Sequence, residues 1–476
     1  MSDKIWSHSA DSHFLEPDDL WHQILPKSQA DRMPRTERIS DSEERVTVDG
    51  RSFTRNLPKI MTAKGSTGET IAELSSRPPG SRDLRKRLAD LDEEGIWAEV
   101  MYQSIGLWSA LIEDPQLIRE AARAENDWMV AEIQALAPDR LVPAALMPML
   151  DVGDAVAELE HAAEIGLHLV SLPTGNPPGT KDWNDASWEP LWAAAEAARM
   201  VIGFHIGTDG GDQAAMFRGP GGAILNYVQT TYGGQYAAMK LVASGALDRH
   251  PDLRVLVSEG GATWVPFVGD RMNEAYRQHG MFVRPQLSRL PKEYLYRQVY
   301  ASFQHDESAP AALWAMGYRN VMFGSDYPHL EGTYGHTQKT LHELFDDVAP
   351  EVRQRITRGA FEELFPHVSA PPAERPGRPP GGGRPPTAGT GLRPARPRAP
   401  GGRSRWSRPR SRRPGGPDAR PGPWSWPSRP GRRSAGRRVR ARPTGTRRRP
   451  TRRRWPPAAV RPAARRSPRP PGDSDA

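Results

Sequence analysis

The 476-residue chain contains no cysteine. Disulfides and thiolate metal sites are therefore excluded, and any metal would have to bind through imidazole and carboxylate ligands. No apolar run approaches the ~20 residues of a membrane span. The polar N-terminus, Met1–Ala10, also lacks an apolar secretory core. A cytoplasmic protein of enzyme size, with no membrane partner, is the expectation. No glycine-rich dinucleotide fingerprint follows the first apolar strand. That absence argues against an open doubly wound sheet and leaves no sign of an organic cofactor.

Lysine is absent from the C-terminal stretch, where arginine abounds. Between Ala370 and Ala476 there are 30 Arg, no Lys and four acids (Glu374, Asp418, Asp473, Asp475), a net of +26. The rest of the chain then carries 35 basic and 53 acidic residues, a net of −18. The formal +8 thus hides an acidic body behind a basic tail. The tail is nearly all Arg, Pro, Gly, Ala and Ser, so it cannot bury enough apolar surface to offset its ordering entropy. Residues 370–476 read as a disordered tail. Clustered arginines neutralise phosphates, so the tail allows non-specific nucleic-acid binding, and a nucleic-acid-binding protein is the rival furthest from an enzyme. Every abundant tail residue has GC-rich codons, which favours a segment without selected function.

Residues 1–369 read as one domain of alternating strands and helices. Strands are expected at Ile5–Ser12, Ala98–Tyr102, Leu141–Met149, Leu167–Leu172, Val201–His205, Leu253–Val257, Gln298–Phe303 and Asn320–Phe323. Helices are expected at Ser81–Gly95, Pro115–Ala137, Asp151–Gly166, Trp188–Arg199, Tyr236–Ser244 and Trp264–His279, with a short one capped by Asp18 or Asp19. Alternation of this kind implies parallel strands joined by right-handed crossovers, and eight strands fit a (β/α)8 TIM barrel. Residues 26–80 are polar and irregular, with a hairpin at Arg45–Phe53 turning on Asp49-Gly50. They read as an insertion covering the barrel mouth, from which Arg51 or Arg55 could reach a substrate carboxylate.

Polar residues collect where the apolar strands stop. The first strand ends in A-D-S-H-F-L-E-P, and the two-residue spacing of Asp11 and His13 places both on one side of an extended strand. His205 ends the fifth in G-F-H-I-G-T, Glu259 follows the sixth in V-S-E-G-G, and Asp326 follows the eighth in V-M-F-G-S-D-Y-P-H. The carboxyl rim of a barrel is where active sites are built. Two imidazoles and two carboxylates there, from Asp11, His13, His205 and Asp326, would hold one divalent ion, Zn2+ or Mn2+. Glu16, in the turn after His13, is a candidate for orienting that imidazole.

These motifs, together with H-P-D-L-R-V-L-V-S-E-G-G-A-T-W-V-P, resemble those of amidohydrolase-related proteins. That branch of the amidohydrolase superfamily includes aminocarboxymuconate-semialdehyde and resorcylate decarboxylases. The resemblance covers most of residues 5–365 and none of the tail. It implies a barrel with one catalytic divalent metal, with Asp326 both binding metal and handling protons. Where the family's decarboxylases commonly carry a catalytic histidine after the sixth strand, this chain has Glu259. Asp326, Glu259 and His329 are therefore the catalytic candidates, with Glu331 next in line. The expected activity is non-oxidative decarboxylation of a small aromatic or unsaturated carboxylic acid. Hydrolysis of a lactone, ester or amide on the same scaffold is the alternative, and a homodimer is compatible with either.

Overall fold

Strands that are covered on both sides lose the polar alternation of a surface strand, and here the apolar runs become strands buried from end to end. A computed structural model describes residues 4–40, 43–56, 78–177, 179–208, 216–329 and 331–372. The chain divides into two units, Met1–Arg384 and Pro385–Ala476. The second lies outside the described residues, as does almost all of the tail expected from residue 370.

Twelve strands are present among the described residues: β1 Ser7–Ser9, β2 His13–Phe14, β3 Arg35–Ser40, β4 Glu43–Val48, β5 Arg51–Asn56, β6 Ile96–Gln103, β7 Leu141–Leu146, β8 Leu169–Pro173, β9 Val201–His205, β10 Arg254–Ser258, β11 Val299–Phe303 and β12 Val321–Phe323. Parallel pairing runs β1-β6-β7-β8-β9-β10-β11-β12, with β2 also on β6. The two ends of this sheet meet. Ala10 N–H donates to the Phe323 carbonyl (2.8 Å), Asp326 N–H to Asp11 (2.9 Å), and His13 N–H to Tyr327 (2.6 Å). Ser12 and Tyr327 form a parallel bridge across the same seam. The sheet is an eight-stranded (β/α)8 barrel, as expected.

Alternate residues serve two cores. On β6, Ala98, Val100 and Tyr102 face the barrel interior with Leu169, Leu256 and Tyr300, while Met101 packs outward against the helices. Phe361 and Leu364 from the helix Ala360–Leu364, and Phe365 just after it, join the interior cluster. Trp183, Trp188 and Trp192 pack together outside the barrel, with Trp183 also against Phe204.

Local signals set most helix ends. Asp83 caps Leu84–Glu94 by accepting from the N–H groups of Arg85 and Lys86, and Gly95, at φ 78°, closes it. Asp114 caps Pro115–Glu132 in the same way. Asp19 precedes the short helix Leu20–Ile24 but makes no side-chain cap bond, contrary to expectation. A helix at Gly222–Thr230 was hidden by its flanking glycines, and the next begins at Tyr232 instead of Tyr236.

The insertion is more ordered than its polarity suggested. β3, β4 and β5 form an antiparallel sheet, and Asp49 (φ 48°) and Gly50 (φ 74°) make the expected tight turn. The sheet packs on the segment Gly106–Leu111 after β6, with Phe53 and Trp108 ring centroids 5.0 Å apart. Arg51 is engaged there, donating to Glu113 (3.0 Å) and to the Leu111 carbonyl. The side chain of Arg55 and residues 57–77 lie outside the described residues.

Candidate metal centre

Each candidate residue sits just where a barrel strand ends. Asp11 lies between β1 and β2, His13 opens β2, His205 closes β9, and Glu259 and Asp326 follow β10 and β12. Glu259 (φ 62°) and Asp326 (φ 52°) both hold the left-handed backbone conformation, rare for residues with a Cβ. Such strain persists where the surroundings force it and is concentrated at functional sites. Gly324 allows the seam to close: a Cβ there would stand 2.8 Å from Asp11 Cβ.

The six side chains converge. Asp11, His13 and His205 each offer a ligand atom within 4.8 Å of the others, as do His13, Asp326 and His329, and Asp11, Glu259 and Asp326. Asp11 and Asp326 are fully buried, and His13 and His205 nearly so. His205 Nε2 lies 3.3 Å from both Asp11 Oδ1 and Glu259 Oε2. Asp326 Oδ1 lies 3.6 Å from His13 Nε2 and 2.9 Å from His329 Nδ1. The His329 ring stacks on His13 with centroids 4.0 Å apart, and Tyr102 closes the floor 4.8 Å from His205.

The fit to a cation follows from the two imidazoles. His13 Nδ1 faces the Gln103 carbonyl at 3.3 Å, and His205 Nδ1 faces the Ile206 carbonyl at 2.8 Å. A carbonyl only accepts, so both Nδ1 atoms carry hydrogen and both Nε2 lone pairs point inward. The two Nε2 atoms are 2.9 Å apart. Lone pairs at that distance, ringed by carboxylates, repel unless a proton or a metal ion stands between them. The charge balance agrees. Burial alone would lower the His205 pKa, but Asp11 and then Glu259 outweigh it and carry it up to about 9. His13 is pushed well below its usual value, by burial first and then by His329 and His205. Burial, and Asp326 after it, pushes the Glu259 carboxyl well above the ordinary range. A mixed N/O donor set of this kind suits a divalent ion such as Zn2+ or Mn2+.

Glu16 does not orient His13. Its carboxylate accepts from the backbone N–H groups of Ser104, Ile105 and Gly106 instead, fixing the loop after β6. Sequence reasoning also missed Arg87 and Glu99, a fully buried ion pair directly behind the site. The available signal was Glu99 itself, a carboxylate inside the apolar strand I-W-A-E-V-M-Y.

A small, mostly apolar hollow lies at the ends of β7 and β8, with none of the six cluster residues in its lining. Leu107, Ile118, Met147, Met149, Pro173 and Thr208 are among its lining residues. Thr208 also donates to the His205 backbone carbonyl (2.7 Å). No helix among the described residues is long and apolar enough to cross a membrane.

The amidohydrolase family model matches residues 90–366. Decarboxylase yanB of Aspergillus niger is 24% identical over 313 residues, 63% of this chain and 79% of that protein. The gamma-resorcylate decarboxylase of Rhodococcus jostii is 26% identical over 200 residues, 40% of this chain and 59% of that one. Among solved structures, an amidohydrolase from Mycobacterium avium subsp. paratuberculosis superposes with a TM-score of 0.63 at 22% identity, covering 76% of this chain and 98% of its own. A dihydroxybenzoic acid decarboxylase from Polaromonas, solved with bound manganese, superposes with a TM-score of 0.50 at 18% identity, covering 76% and 97%.

Proposed function

The chain belongs to the amidohydrolase family, and on that basis we propose that it is a metal-dependent, non-oxidative decarboxylase of a small aromatic or unsaturated carboxylic acid. The observation that carries the reading is the pair of inward-facing imidazole nitrogens, His13 and His205 Nε2, 2.9 Å apart among buried carboxylates. Asp11, His13, His205 and Asp326 would hold the ion. The named activities of the curated relatives, and the manganese in one structural neighbour, supply the reaction class and one candidate metal.

When bound, a divalent ion supplies a Lewis acid that polarises a phenolic, carbonyl or carboxylate oxygen of the substrate. The chain's own residues do the rest. The carbon–carboxylate bond breaks, CO2 leaves, and one proton is delivered to the carbon, so no electron acceptor is needed. Glu259, 3.3 Å from His205 Nε2, takes the place of the family's histidine and is the group positioned to deliver that proton. Asp326, 2.9 Å from His329 Nδ1, handles protons beside it.

The test is product analysis with the full chain loaded with Mn2+ or Zn2+. Hydroxybenzoates should release CO2 and leave the decarboxylated phenol. Ring opening of lactones, or amide cleavage, with no CO2 from any acid would assign the hydrolytic alternative and overturn this proposal.

A further inference from the structure

Arg87 and Glu99 are both wholly buried, and their ion pair has no solvent to screen it. Burying such a pair costs several kcal/mol of desolvation per ion, and apolar residues of similar volume often stabilise a core as well or better. Stability alone therefore does not account for it. What a guanidinium supplies that an apolar side chain cannot is a planar fork of donors with two usable faces. Here Nε and one terminal nitrogen bind the Glu99 carboxylate. That terminal nitrogen also donates to Ser12 Oγ (3.1 Å), and the other donates to the His13 carbonyl (2.7 Å). The face of the group lies over the Tyr327 ring, 4.5 Å from its centroid.

These contacts fall on both sides of the barrel seam. Ser12 and His13 lie where β1 leads into β2, beside Asp11; Tyr327 follows β12, beside Asp326. One turn along the same helix, Asp90 accepts from the Tyr327 hydroxyl (2.6 Å). The helix Leu84–Glu94 thus grips both strand ends, each within one residue of a proposed ligand. The strand on the far side, β12, is only three residues long, and Asp326 sits in a strained conformation. Glu99 cancels the guanidinium charge, so the grip adds little net repulsion toward a cation.

From this geometry we propose that Arg87 is a positioning residue. It sets the separation of Asp11 and His13 from Asp326, acting through the His13 carbonyl and the Tyr327 ring without touching the ion. The inference rests on the metal-dependent reading above. It predicts a defect in metal binding that exceeds, and is separable from, any loss of stability.

The experiment compares full-length wild type with Arg87→Lys and Ser12→Ala. Mn2+ affinity and the electron paramagnetic resonance line shape of bound Mn2+ are measured, alongside thermal unfolding without metal. Lysine keeps the charge but has neither the fork nor the stacking face. Arg87→Lys should unfold cooperatively yet bind Mn2+ roughly 10- to 100-fold more weakly, the range for partners that orient metal ligands, and with an altered line shape. Ser12→Ala, which removes one acceptor, should weaken binding a few-fold. Wild-type affinity and line shape in a folded Arg87→Lys would overturn the proposal, even with a lowered Tm. If Arg87→Lys does not fold, Ser12→Ala decides by the same criterion. Wild type that binds no Mn2+ overturns the metal reading itself, an outcome distinct from variants that bind normally.

Discussion

Adding one methyl group at Gly324 should damage the site through geometry alone. An alanine Cβ would stand 2.8 Å from Asp11 Cβ, whereas ordinary contact begins near 3.4 Å. The neighbouring atom is a Cβ attached to the backbone, so no rotamer change can relieve the clash. The strands must separate by about 0.6 Å at the point where Asp11 meets Asp326. Overpacking of this kind costs about 1–3 kcal/mol. The displacement also exceeds the ~0.2 Å tolerance of metal–ligand distances, so affinity should suffer beyond stability. Gly324→Ala is therefore expected to lose about 1–3 kcal/mol in urea unfolding with chelator present. Its Mn2+ dissociation constant should rise at least about tenfold. A variant within about 0.5 kcal/mol of wild type, binding Mn2+ equally well, would show that the seam is looser than drawn and that Asp11 is not held for a ligand role.

His205→Ala and Asp326→Asn should each abolish CO2 release while circular dichroism and cooperative unfolding remain native-like; near-wild-type turnover in either would remove that residue from the proposed site. Ending the chain after Pro372 should leave Mn2+ binding and unfolding unchanged by calorimetry, and a lowered Tm would give the remaining residues a structural role. Stability should also fall in acid through His367, whose ring stacks on His168 at 3.7 Å. Burial first, and His168 second, lower its pKa to about 4, below the usual 6.5. The unfolded chain therefore binds the extra proton between those values, and the contribution is intact above pH 6.5 and lost as pH falls toward 4. With the ring only partly buried, this amounts to about 1 kcal/mol after solvent screening. His367→Asn should flatten the urea-midpoint profile in that window, and an unchanged slope would refute the assignment.

The barrel and its rim were legible because parallel buried strands leave continuous apolar runs, and a polar residue at the end of such a run is conspicuous. Val201–His205 has the same limits in sequence and structure. Asp11 and His13 were readable as a pair because two residues of extended chain return to the same side. What escaped depended on distant partners. β3, R-T-E-R-I-S, is mostly exposed and carries no apolar signal of its own; pairing with β4 makes it a strand. Glu16 binds backbone N–H groups of a loop 88–90 positions away, which no local pattern announces. Arg87 lies beside the apolar stripe of an amphipathic helix, and only the fold reveals that it reaches the seam.

An anomalous-scattering map from crystals grown with Mn2+ and no chelator would show whether one divalent cation stands between His13 and His205. A single peak is expected about 2.0–2.3 Å from both Nε2 atoms, with Asp326 and Asp11 oxygens completing the shell. A map with no peak there, and the two nitrogens still in direct contact, would contradict it.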